Sequence, residues 1–92
     1  MLACISMMAQ SPVRVTGVVL DNAGNSVISA SVVEAWNTTN GVVTDFDGNF
    51  EIYVPTGAEL VVSSIGYATK VVKVGTQTTG LNIILDEDTQ LL

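Results

Sequence analysis

The chain has 92 residues, 48% of them hydrophobic and 13% charged, with nine acids against three cations for a formal net charge of −6 at pH 7. That hydrophobic share excludes intrinsic disorder, no apolar run reaches the roughly 18 residues of a membrane helix, and the charge repels nucleic-acid phosphates and anionic lipid. There is no His and the one Cys is Cys4, which removes imidazole chemistry, the usual zinc ligand sets and any internal disulfide.

In chain order, the first ten residues are apolar, too short to span a bilayer, and reach a small residue at Ala9. They fit the end of an export signal occupying residues 1–9 and cleaved after Ala9, although the basic segment that usually opens one is missing. Two other readings stay open. One is an N-terminal arm. The other is a lipoprotein box with Cys4 acylated, in which Met1 stands where Leu is expected and apolar residues follow where a polar tether is usual.

The folded unit is expected over residues 13–86. Residues 13–20 are β-branched and apolar, and they stop at Asp21-Asn22-Ala23-Gly24-Asn25, a dense turn signal. A second strand is expected over 29–36, a loop over 37–40 and a third strand over 41–44. Asp45 to Gly48 then forms a tight turn in which Asp47-Gly48 supplies the positive φ. Phe50, Ile52 and Val54 alternate with Glu51 and Tyr53 over 49–54, the period-two pattern of a half-buried strand. After Pro55-Thr56-Gly57, strands are expected over 60–65, 67–74 and 81–85, separated by Gly66 and by a loop over 75–80. Residues 87–92 read as an acidic tail or the start of a linker.

No window carries a helical period free of Gly, Pro or β-branched crowding, so no helix is expected. Short strands at intervals of about 8 to 12 residues with Gly-containing turns point to an all-β, antiparallel sandwich of two sheets. Its inward set is Val15, Val19, Ala30, Val32, Phe50, Ile52, Val54, Leu60, Val62, Val72, Val74, Leu81, Ile83 and Leu85. In the second strand Val32 and Trp36 share a side with Glu34, while Val33 goes with Ala35.

Candidate sites are few. Asp45, Asp47 and Asn49 repeat the opening of a calcium loop, but Gly48 falls at loop position four and Thr56 at twelve, where a Gly at six and a bidentate Glu are required. A turn whose Asp side chains accept backbone N–H bonds accounts for the same residues. Ser63 and Ser64 have no base to activate them. Lys70 and Lys73, the only lysines, lie in one strand at the surface by pattern, which disfavours an internal isopeptide bond. Trp36 and Tyr53 could contact a ligand by stacking on a sugar ring. A lone Trp at a strand end is more commonly a core plug or edge cover, and Tyr53 suits an outward cross-strand position. Gly66-Tyr67 reads as a bend followed by an anchoring ring.

Val15-Thr16-Gly17-Val18-Val19, Ala30-Ser31-Val32-Val33, Thr44-Asp45-Phe46-Asp47-Gly48-Asn49-Phe50 and Ser63-Ser64-Ile65-Gly66-Tyr67 follow one another in order. Together they resemble the carboxypeptidase-regulatory-like domain, in the form found at the N-terminus of SusC-like, TonB-dependent outer-membrane receptors of Gram-negative bacteria. The likeness covers about residues 13–86. It departs at Ser26, where Pro is frequent in the family, and at Ser29, where Gly is frequent.

The resemblance implies a seven-stranded Greek-key sandwich of the transthyretin (prealbumin) type, exported to the periplasmic side of the outer membrane. It implies no catalysis and no cofactor. Hydrolases and intradiol dioxygenases on related sandwiches use His, which this chain lacks. Implied partners are the barrel or plug of the same or a companion transporter and periplasmic proteins, with no nucleic acid and no direct insertion of the domain into a membrane. The alternative function is a surface adhesin or carbohydrate-binding module using Trp36.

Overall fold

Burial alternates along the strands as a two-residue period requires: in β4 (Asn49–Val54) Phe50, Ile52 and Val54 are buried, and in β5 (Glu59–Ser63) Leu60 and Val62 are. The structure is a computed structural model and describes residues 12–88. The segment read as an export signal, Cys4 with it, and residues 89–92 of the acidic tail lie outside the described residues. The remaining strands are β1 (Val13–Asp21), β2 (Ser31–Glu34), β3 (Asn37–Val43), β6 (Lys70–Lys73) and β7 (Leu81–Leu85). Among the described residues there is no helix.

Two sheets form, one ordered β4-β1-β7 and the other β3-β2-β5-β6. Pairing is antiparallel except between β1 and β7, which run parallel with Gly17 opposite Leu81 and Asp21 opposite Leu85. The sandwich is therefore mixed where a purely antiparallel one was expected. Parallel neighbours need a crossover connection, and here β2 to β6 supply it, so β7 returns beside β1 in the same direction.

The core joins both inner faces: Val15, Val19, Phe50, Ile52, Val54, Ile83 and Leu85 from one sheet meet Val32, Leu60 and Val62 from the other, with Ala30, Val74 and Val27 closing the ends. Two expected members, Val72 and Leu81, are only partly buried and pack against this cluster. Val27 was not expected in it. Its amide donates to the Val19 carbonyl at 2.9 Å, which folds the loop after β1 back over the core.

Several strand boundaries differ from expectation for tertiary reasons. The second strand ends at Glu34, Ala35-Trp36 form the turn, and the polar run read as a loop is the first half of β3. As a sheet edge, β3 can carry polar side chains toward solvent. Asn40 fixes it, donating to Glu34 Oε1 at 3.0 Å and to the Tyr53 carbonyl at 2.8 Å across to β4. Glu34 faces inward with Val32. Residues 67–69, read as the start of the sixth strand, instead face the end of β7: the Ala68 amide donates to Asp86 O and the Asp88 amide to Gly66 O, both at 2.9 Å. The expected 60–65 strand likewise shortens to Ser63, because Ser64 to Tyr67 make a turn closed by a 3.1 Å bond from the Tyr67 amide to Ser64 O.

Ser29 is the one non-Gly among the described residues with positive φ, at 61°. Its Cβ crowds the backbone there at a cost of about 1–2 kcal/mol, part of which Gly would recover against its greater freedom in the unfolded chain. Ser29→Gly should therefore raise stability by about 0.5–1 kcal/mol, read as an upward shift of a few degrees in Tm. An unchanged or lower Tm would show that the strain at Ser29 is no larger than the freedom Gly adds to the unfolded chain.

Candidate functional site

The Asp45–Asn49 turn is built by its own side chain. Asp45 Oδ1 accepts the amides of Asp47 and Asn49, each at 2.9 Å, while the Gly48 amide returns to Asp45 O at 2.9 Å and the Asp45 amide donates to Asn49 O at 3.0 Å. Closing the loop needs a left-handed residue at its fourth position, and Gly48 takes φ 81°. The loop after β1 repeats this bond for bond. Asp21 Oδ1 accepts the amides of Ala23 and Asn25, the Gly24 amide donates to Asp21 O, the Asp21 amide donates to Asn25 O, and Gly24 has φ 87°. The shared spelling Asp-x-x-Gly-Asn stood in the sequence as the signal for the second copy.

Thr44, just before this turn, is 3% exposed and ties three segments together. Its hydroxyl donates to Val27 O at 2.6 Å and accepts the Ala30 amide at 2.8 Å, while its own amide and carbonyl bond Ala30 O and the Ser29 amide. No pattern in the sequence marked Thr44 as buried. Phe50, on the other side of the turn, packs beside Gly17, where a Cβ would come within 2.9 Å of the ring and 2.6 Å of Leu81 O. The phrase from Thr44 to Phe50 is thus a structural unit with a buried hydroxyl at one end and a buried ring at the other.

The calcium candidates Asp45, Asp47 and Asn49 come together in one turn, where one Asp45 oxygen is already shared by two amides. Among the described residues no group of three or more His, Cys, Asp or Glu side chains could hold a metal ion. Gly66 and Tyr67 sit in the bend after β5, with Tyr67 partly buried against the core and bridged to Glu87. Trp36 lies on the tip of the β2–β3 turn and is 87% exposed, which overturns its expected place as core plug or edge cover. A two-residue turn projects the indole beyond both strands. Tyr53 is half-exposed on the outer face of β4.

A groove of about 600 Å³ lies over β1 and β4, with Arg14, Thr16, Val18, Val43, Asn49 and Glu51 in its lining. Arg14 Nε donates to Glu51 Oε2 across this face, with both side chains about half exposed. The guanidinium pKa is raised above its ordinary value, by the Glu51 hydrogen bond first and by the Glu51 charge second. An exposed pair of this kind adds little to stability. Chemically the groove offers the Arg14–Glu51 ion pair, the single hydroxyl of Thr16, which accepts the Gly80 amide at 3.3 Å, the Asp45 carboxylate already bonded in its turn, and apolar walls.

Compared with known proteins, residues 15–92 match the CarboxypepD_reg-like domain family. The TonB-dependent receptor SusC of Bacteroides thetaiotaomicron is 44% identical over 80 residues, covering 87% of this chain and 8% of the receptor. A TonB-dependent receptor of Formosa agariphila is 37% identical over 70 residues, covering 76% of this chain and 7% of its own length, and another from that organism is 32% identical over 76 residues. The chain therefore spans less than a tenth of the length of each of these relatives.

Within the matched region the twin turns separate two costs that usually come mixed. A Cβ at Gly48 would lie 2.7 Å from Val19 O, whereas one at Gly24 would meet nothing within 4 Å. Gly24→Ala should lose only the left-handed penalty, about 1 kcal/mol, and Gly48→Ala at least about 2 kcal/mol, both read by denaturant unfolding. Equal losses would show that β1 yields to the added methyl.

Proposed function

The chain belongs to the carboxypeptidase-regulatory-like domain family, and we propose that it is a non-catalytic accessory domain of, or derived from, a TonB-dependent outer-membrane receptor. It works on the periplasmic side, by protein contact or as a spacer, with the receptor's barrel and plug or periplasmic proteins as partners. The observation that carries this reading is the match of most of the chain to one small stretch of much longer receptors. The groove fits it, since its one hydroxyl, Thr16, accepts the Gly80 amide, its Glu51 is paired with Arg14, and Asp45 Oδ1 closes its own turn. The strand orders β4-β1-β7 and β3-β2-β5-β6 support a Greek-key, transthyretin-like sandwich. On this reading residues 1–9 are the remnant of an export signal, residues 13–86 the domain, and residues 87–92 lead toward a linker. No cofactor takes part.

One observation favours a second reading. The exposed Trp36, with half-exposed Tyr53 toward the same end of the sandwich, would suit stacking on a sugar ring in a surface adhesin or carbohydrate-binding module.

Fractionation of native cells with an antibody against this chain tests the first reading. The antigen should be recovered with the outer membrane, either in a polypeptide of the relatives' length or co-purifying with one; recovery in the cytoplasm would contradict it. Saturable quenching of Trp36 fluorescence by oligosaccharides, abolished in Trp36→Ala, would move the function to the second.

A further inference from the structure

We propose that the end of the sandwich formed by the loops after β1, β3 and β5 is a docking surface for a basic protein segment with an apolar centre. This rests on the protein-contact reading above and adds the place and the chemistry of the contact. The topology gathers these loops. Asp21 and Leu85 end β1 and β7 side by side, Ser31 begins β2 between Val43 and Ser63, and the Val19 amide donates to Gly48 O at 2.8 Å.

Each loop lifts one large apolar side chain into solvent: Ile28 is 49% exposed, Phe46 78% and Ile65 99%. Single exposed apolar residues mean little, but these three stand on three loops gathered at the same end of the sandwich. None is free to fold inward. Ile28 lies between Val27, bonded to Val19 O, and Ser29, bonded to Thr44 O. Phe46 is held in the Asp45–Gly48 turn, and Ile65 in the turn that the Tyr67 amide closes on Ser64 O. A surface whose backbone is already fixed loses little conformational freedom on binding, so its apolar area is available for affinity.

Charge selects the occupant. Asp21, Asp45, Asp47, Asp86 and Glu87 all lie at this end, and Lys70, the one cation near it, turns its ammonium to Ile84 O at 3.2 Å. Apolar tips within a carboxylate rim complement Lys or Arg surrounding apolar side chains, and they repel acidic or anionic surfaces.

The test titrates the isotope-labelled 92-residue chain with a synthetic amphipathic peptide of Leu and Lys, followed by amide chemical shifts. Saturable shifts are expected at residues 27–29, 45–48 and 64–67, with no binding of the same peptide carrying Glu for Lys. The combined variant Ile28→Ser, Phe46→Ser, Ile65→Ser should bind at least about tenfold more weakly with the rest of its spectrum unchanged. Asp47→Asn with Glu87→Gln, which leaves the apolar tips intact, should bind more weakly at low salt and with a shallower salt dependence. Undiminished binding by either variant, or shifts centred on the Trp36 end, would overturn the proposal. Recovery of the native protein with the outer membrane alongside such a result would leave the accessory-domain reading standing, and cytoplasmic recovery would sink that reading whatever the peptide does.

Discussion

The loop after β1 and the crossing from β3 to β4 are held together at Thr44, whose hydroxyl, amide and carbonyl all bond to residues 27–30. A buried hydroxyl without partners would cost about 1–3 kcal/mol, so its value lies in having both its donor and its acceptor used. The consequence is geometric. The chain leaves the four-stranded sheet at Val43 and enters the three-stranded one at Asn49, and Thr44 fixes that passage to the segment leading into β2. Val27 is drawn into the core and Ile28 is turned out by the same bonds.

The rest of the molecule closes around that point. Asn40 links β3 to β4 along one side of the sandwich, and Lys70 with the Ala68 amide links the β6 side to β7 along the other. Edge strands left open would invite pairing with other chains. The repeated Asp-x-x-Gly-Asn turns brace neighbouring loops, with the Asp45–Asn49 copy also taking the Val19 amide on Gly48 O. An end of the molecule made of short, self-bonded turns is stiff enough to present side chains in fixed positions, which is what contact with another protein requires.

Much of this was legible from residue order. Strand β4 agrees residue by residue because Phe50, Ile52 and Val54 alternate strictly with charged and polar neighbours, and nothing else satisfies that period. The first half of β3 was not legible. Asn37, Thr38, Thr39 and Asn40 have loop composition, and only pairing with β2 and the Asn40 bonds to Glu34 and Tyr53 make them a strand. The parallel run of β7 beside β1 depends on where a distant connection returns, which no local pattern encodes. At the candidate sites the order of residues placed Asp45, Asp47 and Gly48 in a turn, yet it could not tell that Trp36 projects from a two-residue turn. Nor could it show that Ile28, Phe46 and Ile65 share one end, since that depends on how three separate loops assemble.

The loops gathered at the end of the sandwich after β1, β3 and β5 hang on the Thr44 junction. The fixed arrangement of these loops requires a Thr44 junction that is rigid in solution. Native-state hydrogen exchange measures this directly at the amides of Ala30 and Thr44. Both should exchange only through global unfolding, as slowly as the amides of Ile52 and Leu60 in the core strands. Exchange as fast as at Phe46, on the exposed turn, would mean that the junction opens on its own and that the loops it holds have no fixed arrangement.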